Sequence, residues 1–133
     1  TIKEKPSFKG LINTSRCIVI ASGYYEWVQT ENGKQPCYIH GEYDVLPIAG
    51  LWTRWNNTKS FTIITKSANS SVTNIHHRMP LIIEKNRIKS FLDHSINFNS
   101  SYQKQEVKLS YHKVSKLVNN PVNNNISCIT LIE

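Results

Sequence analysis

Ile75-His76-His77-Arg78-Met79-Pro80 runs into Leu81-Ile82-Ile83, and Ile18-Val19-Ile20 leads into Gly23-Tyr24-Tyr25-Glu26-Trp27. Both stretches are short and rich in β-branched and aromatic residues, the composition of strands in a β-rich fold. Each also carries an ionisable side chain within an apolar run. Enclosing a carboxylate or an imidazole in this way costs on the order of several kcal/mol unless the group is paired or used. An acid–base pair of Glu26 and His76 is one use that would explain both. A buried structural ion pair is the competing explanation.

Working outward, the pattern predicts further short strands at residues 16–20, 24–28, 36–40, 46–52, 61–65, 80–83, 113–115 and 127–132. Glu31-Asn32-Gly33-Lys34 reads as a hairpin turn with Asn-Gly at its centre, and residues 42–44 and 55–58 as further turns. Two helical pieces are predicted. One is a short polar stretch at 67–73; the other, 85–93, sets Ile88, Phe91 and Leu92 on one face. No repeat or linker divides the chain, so a single domain over 1–133 is expected. Its fold class is α+β, a curved, barrel-like antiparallel sheet with a few peripheral helices.

The chain has 133 residues and a net charge of +7. No apolar run approaches the roughly 18 residues of a membrane span, so no membrane partner is expected. Cys17, Cys37 and Cys128 are odd in number and lack metal-ligand spacing, which fits a reducing, intracellular compartment and core positions for all three. The charge is unevenly spread. No Asp or Glu lies between Asp44 and Glu84, or from Val107 to Ile132. Arg54, Lys59, Lys66, Arg78, Lys108, Lys113 and Lys116 fall in those stretches, interleaved with Trp52, Trp55, Phe61 and Tyr111. Cations that track phosphates beside aromatic faces that stack on bases make a single-stranded nucleic-acid surface. An ordinary basic surface over core aromatics is the alternative.

Several of these segments recur together, in order. Arg16-Cys17-Ile18-Val19 with Gly23–Trp27, Ile48-Ala49-Gly50-Leu51-Trp52, Ser60-Phe61-Thr62-Ile63-Ile64-Thr65, Ile75–Pro80 and Val114-Ser115-Lys116-Leu117-Val118-Asn119-Asn120-Pro121 resemble the SOS-response-associated peptidase family. Glu4-Lys5-Pro6-Ser7-Phe8 resembles a segment preceding the family's Arg-Cys strand. The resemblance implies a DNA-damage response protein that binds single-stranded DNA and crosslinks covalently to abasic sites. There, an amino-terminal Cys condenses with the open sugar aldehyde as a Schiff base, and its thiol closes a thiazolidine. By motif position, Glu26 would shuttle protons at the amine and His76 would donate to the sugar oxygen. Arg78, Arg54, Lys66 and Lys116 are the candidate DNA contacts. A cytoplasmic, nucleoid-associated protein is expected, with replication-fork proteins as candidate partners.

In the family the reactive Cys and a site Asn precede the Glu-Lys-Pro-Ser-Phe segment, whereas this chain opens at Thr1. The expectation is the C-terminal part of a longer protein, inactive alone. His77 departs from the acidic or amide residue usual in the family. Two adjacent His residues raise a metal site, but neighbours on a strand point to opposite faces. His40, His94 and His112 add no ligand spacing, so neither metal nor cofactor is expected. Two other functions stay open. A thiol peptidase, removing its own leader, would need a nucleophile near His76. A non-catalytic single-stranded DNA-binding fragment needs none.

Overall fold

The structure is a computed structural model and describes residues 9–133. The segment Glu4–Phe8 therefore lies outside the described residues. Among the described residues, eight strands form three antiparallel sheets: β1 (Arg16–Ala21), β4 (Leu46–Trp55) and β5 (Thr58–Ile63) in one, β2 (Gly23–Thr30), β3 (Gly33–His40) and β8 (Ser110–Lys113) in a second, and β6 (Thr65–Ser67) with β7 (Arg78–Pro80) in a third. The α+β, β-rich expectation holds, although these ladders do not close into a barrel. A short helix, α1 (Ile88–Leu92), follows a 3-10 turn at Lys85–Arg87, as the 85–93 periodicity predicts.

β4 organises the interior because its first half is buried on both faces. Ala49 and Leu51 face one core with Ile12, Ile64, Leu81, Ile83, Phe91, Phe98 and Tyr102. Leu46 and Ile48 face the other, with Ile39, Val72, Met79, Ile82 and Leu109. Strand alternation sends neighbouring residues to opposite sides, which is why Leu46-Pro47-Ile48-Ala49-Gly50-Leu51 is continuously apolar. The second core lies between the first two sheets, since Tyr24 of β2 and Ile39 of β3 also pack on it. Gly23 lets β2 approach: a Cβ there would stand 2.4 Å from the Ile39 carbonyl oxygen and 2.7 Å from the Tyr38 ring.

Turn chemistry sets the hairpins. Asn56 and Asn57 both take positive φ, 48° and 63°, the left-handed pair that a two-residue β4–β5 turn requires. The β2–β3 turn sits one residue earlier than expected. Thr30 pairs with Gly33, so Glu31-Asn32 is the loop and Gly33, at φ 97°, follows it. Thr30 Oγ1 fixes this register by accepting from Asn32 N and donating to the Gly33 carbonyl.

Three other expectations are corrected. Residues 67–73 form no helix; a single backbone turn, Thr73 N to Asn69 O, remains while Asn69 Oδ1 accepts from Ser71 N. Residues 127–132 form no strand. Asn125 Oδ1 caps a 3-10 turn at Ile126–Cys128, and only Leu131 bridges back, to Val114. The 61–65 run divides at Ile64, whose N–H goes to Ala49 while its carbonyl accepts from Leu81, and Thr65 then pairs with Pro80 instead of continuing β5. Among the described residues, no helix is long and apolar enough to cross a membrane.

Candidate functional site

Glu26 is held by the β2–β3 ladder directly opposite Cys37, and Cys37 lies opposite Lys113 of β8. Tyr24 is two residues before Glu26 and therefore shares its face, the face that packs on the second core. Burial, reinforced by the Glu26 carboxylate, pushes the Tyr24 phenol well above its ordinary range, so it stays a neutral hydroxyl beside that carboxylate. Glu26 is half-buried. Among the described residues no cation pairs with it, and no ion pair or hydrogen bond joins it to His76; the structural-pair explanation finds no support there.

His76 is half-buried in a segment anchored on the same core. Its neighbours Val72, Ile75 and Met79 belong to or pack on the core that Tyr24 touches. The His76 and Ile75 N–H groups both donate to the Val72 carbonyl, and β7 begins only at Arg78. His76 and His77 therefore sit on a turn, not on a strand. Strand alternation does not apply to them, and their rings stack, with centroids 4.4 Å apart and planes 27° apart. His76 Nδ1 lies 3.1 Å from the Arg78 N–H and 3.2 Å from the Arg78 carbonyl oxygen. A neutral ring accepts from the first and a protonated ring donates to the second, so Nδ1 keeps a partner in either state. Nε2 makes no hydrogen bond among the described residues and is the nitrogen left to serve a ligand.

The basic candidates separate by environment. Arg54 and Lys116 are exposed. Arg78 is half-buried, and its Nη2 donates to the Thr65 carbonyl and to Thr65 Oγ1 at 3.1 and 2.9 Å. Lys66 is 9% exposed, and its ammonium donates to the Gln105 carbonyl at 3.0 Å. It points into the protein and is not displayed for a phosphate. The reason is alternation in β6, where Thr65 and Ser67 are exposed and Lys66, opposite Met79, faces inward.

Beyond Gly50, the β4 face that lines the second core emerges into solvent. Trp52 pairs with Phe61 and Arg54 with Lys59, placing two aromatics and two cations on one face of the β4–β5 hairpin. Trp52 is 39% and Phe61 61% exposed, and the Lys59 ammonium stands 5.9 Å from the Trp52 ring centre. The sequence showed these residue types together. Only the register shows that Trp55, at the turn, belongs to the other face.

The cysteines carry no sign of activation. Burial pushes the Cys17 thiol up, and burial pushes Cys37 up despite an opposing effect from Lys113. A thiol nucleophile needs the opposite shift. Cys128 is buried, with its thiol against the Asn123 carbonyl. No group of three or more His, Cys, Asp or Glu side chains is placed to hold a metal ion among the described residues.

Known proteins share this sequence pattern and fold. The chain is 33% identical to "Abasic site processing protein HMCES" of Gallus gallus, over 100% of this chain and 48% of that protein. It is 34% identical to "Abasic site processing protein YoaM" of Bacillus subtilis, over 93% of this chain and 60% of that protein. The chain thus spans about half to three-fifths of the length of these relatives. A crystal structure of a Bacteroides thetaiotaomicron protein superposes with a TM-score of 0.86 at 27% identity, covering 100% of this chain and 63% of that one. One from Bordetella bronchiseptica, 19% identical with a TM-score of 0.68 over 86% of this chain and 62% of that one, shares the fold. The profile of the SOS response associated peptidase (SRAP) proteins matches residues 1–121, and the chain belongs to that family.

Proposed function

We propose that this chain supplies the acid–base groups and the DNA-contacting face of an abasic-site processing protein acting on single-stranded DNA. The observation that carries the reading is the half-buried Glu26 carboxylate, without a cation partner among the described residues, on the strand face of Tyr24, which packs on the same core as Ile75 and Met79 on either side of His76. The names of the relatives from Gallus gallus and Bacillus subtilis support abasic DNA as the substrate.

The chemistry begins with the abasic sugar in its ring-closed form. His76 Nε2–H donates to the ring oxygen as its bond to C1 breaks, and the C1 hydroxyl gives its proton to water to leave the aldehyde, while Nδ1 keeps its Arg78 partner. The amine of an amino-terminal Cys adds to the carbonyl carbon; the carbinolamine loses water to give the imine, with Glu26 relaying the protons. The thiol sulfur then adds to the imine carbon, its proton passes to nitrogen, and a thiazolidine closes. Tyr24, neutral beside Glu26, adds a hydroxyl without a competing charge. Trp52 and Phe61 offer stacking surfaces to bases, with Arg54 and Lys59 along the phosphates.

The test is a denaturing gel run without borohydride. A polypeptide that carries an amino-terminal Cys upstream of Thr1 should give a heat-stable adduct with abasic single-stranded DNA; residues 1–133 alone should give none. A stable adduct from residues 1–133 alone would overturn the assignment of the nucleophile, and no adduct from the longer chain would overturn the reaction.

Binding makes a second prediction. Affinity of the longer chain for undamaged single strands should fall by roughly 0.7 log unit per log unit of salt for each phosphate neutralised. Arg54→Ala with Lys59→Ala should reduce that slope by about 1 to 2 phosphate equivalents. A slope unchanged by the double substitution would remove the hairpin face from the interface.

A further inference from the structure

His77 has no part in the chemistry above, yet its ring covers that of His76. The pair lies just before β7; the His77 carbonyl accepts from the Ala68 N–H at 3.0 Å, which fixes its backbone and leaves the ring outside any ladder. His76 is half-buried and His77 exposed, which puts the second ring on the solvent side of the first. At 4.4 Å and 27° the two rings lie nearly face to face. The main chain of Arg78 fixes His76 along one edge only, through Nδ1. With Cγ bonded to the chain and Nδ1 held by Arg78, the ring can still swing within the slack of those hydrogen bonds, and Nε2, on its far side, moves most. A flat ring resting on its face removes the swing.

We propose that His77 is a positioning residue: its ring, stacked on His76, holds Nε2 of His76 in the orientation used for proton transfer to the abasic sugar. This rests on the acid–base reading of His76. The requirement is for a flat ring at position 77 and not for an ionisable one, since no proton step passes through His77. A tyrosine or phenylalanine should therefore serve nearly as well, and an aliphatic side chain should not. The stack also explains how a residue in the solvent-exposed part of the turn can affect a half-buried one without touching the core.

The experiment is single-turnover crosslinking by the full-length protein at saturating concentration, with half-saturating concentration and melting temperature measured alongside. His77→Ala should slow adduct formation roughly three- to tenfold, the loss expected for one ring–ring contact, with binding and melting unchanged. His77→Tyr should return the rate to within about twofold of the parent, because the stack is restored. A second readout does not depend on the reaction. In the same longer protein, His77→Ala should move the His76 ring-proton resonances by removing the neighbouring ring current, and His77→Tyr should leave a ring current in place. A parental rate for His77→Ala overturns the proposal. Equal slowing by Ala and Tyr also overturns it, by assigning the effect to the imidazole's own proton chemistry, and a change confined to half-saturation assigns His77 to DNA contact instead. A parental protein that forms no adduct sinks the acid–base reading itself, a distinct outcome, and unmoved His76 resonances refute the stack directly.

Discussion

Glu26→Gln and His76→Ala, each in the full-length protein, should slow covalent capture of abasic single-stranded DNA about a hundredfold, the usual contribution of a general acid or base. Gln keeps the shape and burial of Glu26 while removing the titrating group, and among the described residues no cation loses a partner. Stability should therefore change little, and the lost rate can be read as lost chemistry. His76→Ala removes the ring that engages the Arg78 backbone through Nδ1, so a small stability loss is expected with it. Neither position lies on the Trp52–Phe61 face of the hairpin, and affinity for undamaged DNA should stay within about twofold in both variants. Single-turnover rates at saturating protein, beside a binding isotherm, separate the two effects. Parental rates in both variants would make the pair structural and leave the aldehyde chemistry to other groups.

The largest effect on stability is expected at Arg16. The residue is 6% exposed, and its guanidinium engages four backbone carbonyls and one side-chain oxygen. Nε donates to Phe91 O at 2.5 Å, Nη1 to Ile12 O and Asn13 Oδ1 at 3.0 and 3.3 Å, and Nη2 to Asp93 O and Ile96 O, both at 2.6 Å. Phe91 and Asp93 lie at the C-terminal end of α1, where carbonyls lack helical partners and a cation is favoured. Arg16→Met keeps apolar bulk beside the Phe91 ring but takes the donor from the Phe91, Ile12 and Ile96 carbonyls, while Asp93 O keeps the Ile96 N–H. A loss of about 3 kcal/mol or more is expected, lowering the urea midpoint by about 1 M or more. Arg16→Lys retains the charge with three donors instead of five and should recover only part of it. A midpoint unmoved by Arg16→Met would mean that water replaces the guanidinium at little cost.

Elements whose cause is local are legible in the chain. β1 to β4 follow from β-branched and aromatic runs, the β4–β5 turn from two Asn residues able to take positive φ, and the 85–93 helical piece from the spacing of Ile88, Phe91 and Leu92. The sequence also carried the family, because motif order is a one-dimensional property. Residue chemistry nominated Glu26, His76 and an aromatic–basic DNA surface; the roles proposed for them remain for the experiments above. What depends on distant partners emerges only once the segments pack. His76 and His77 looked like strand residues, but the Val72 carbonyl captures the His76 and Ile75 N–H groups, and the two rings stack instead of diverging. Lys66 counted as surface charge until β6 paired with β7 and turned it toward the Gln105 carbonyl. Arg16 read as the first residue of a strand, while three of the carbonyls it binds, at Phe91, Asp93 and Ile96, lie 75 to 80 positions away. Propensity and turn geometry act over a few residues and are written in the chain. The destination of a buried donor or a stacked ring is settled only when separate segments pack, since desolvation then compels each polar group to take whichever partner the fold has brought within reach.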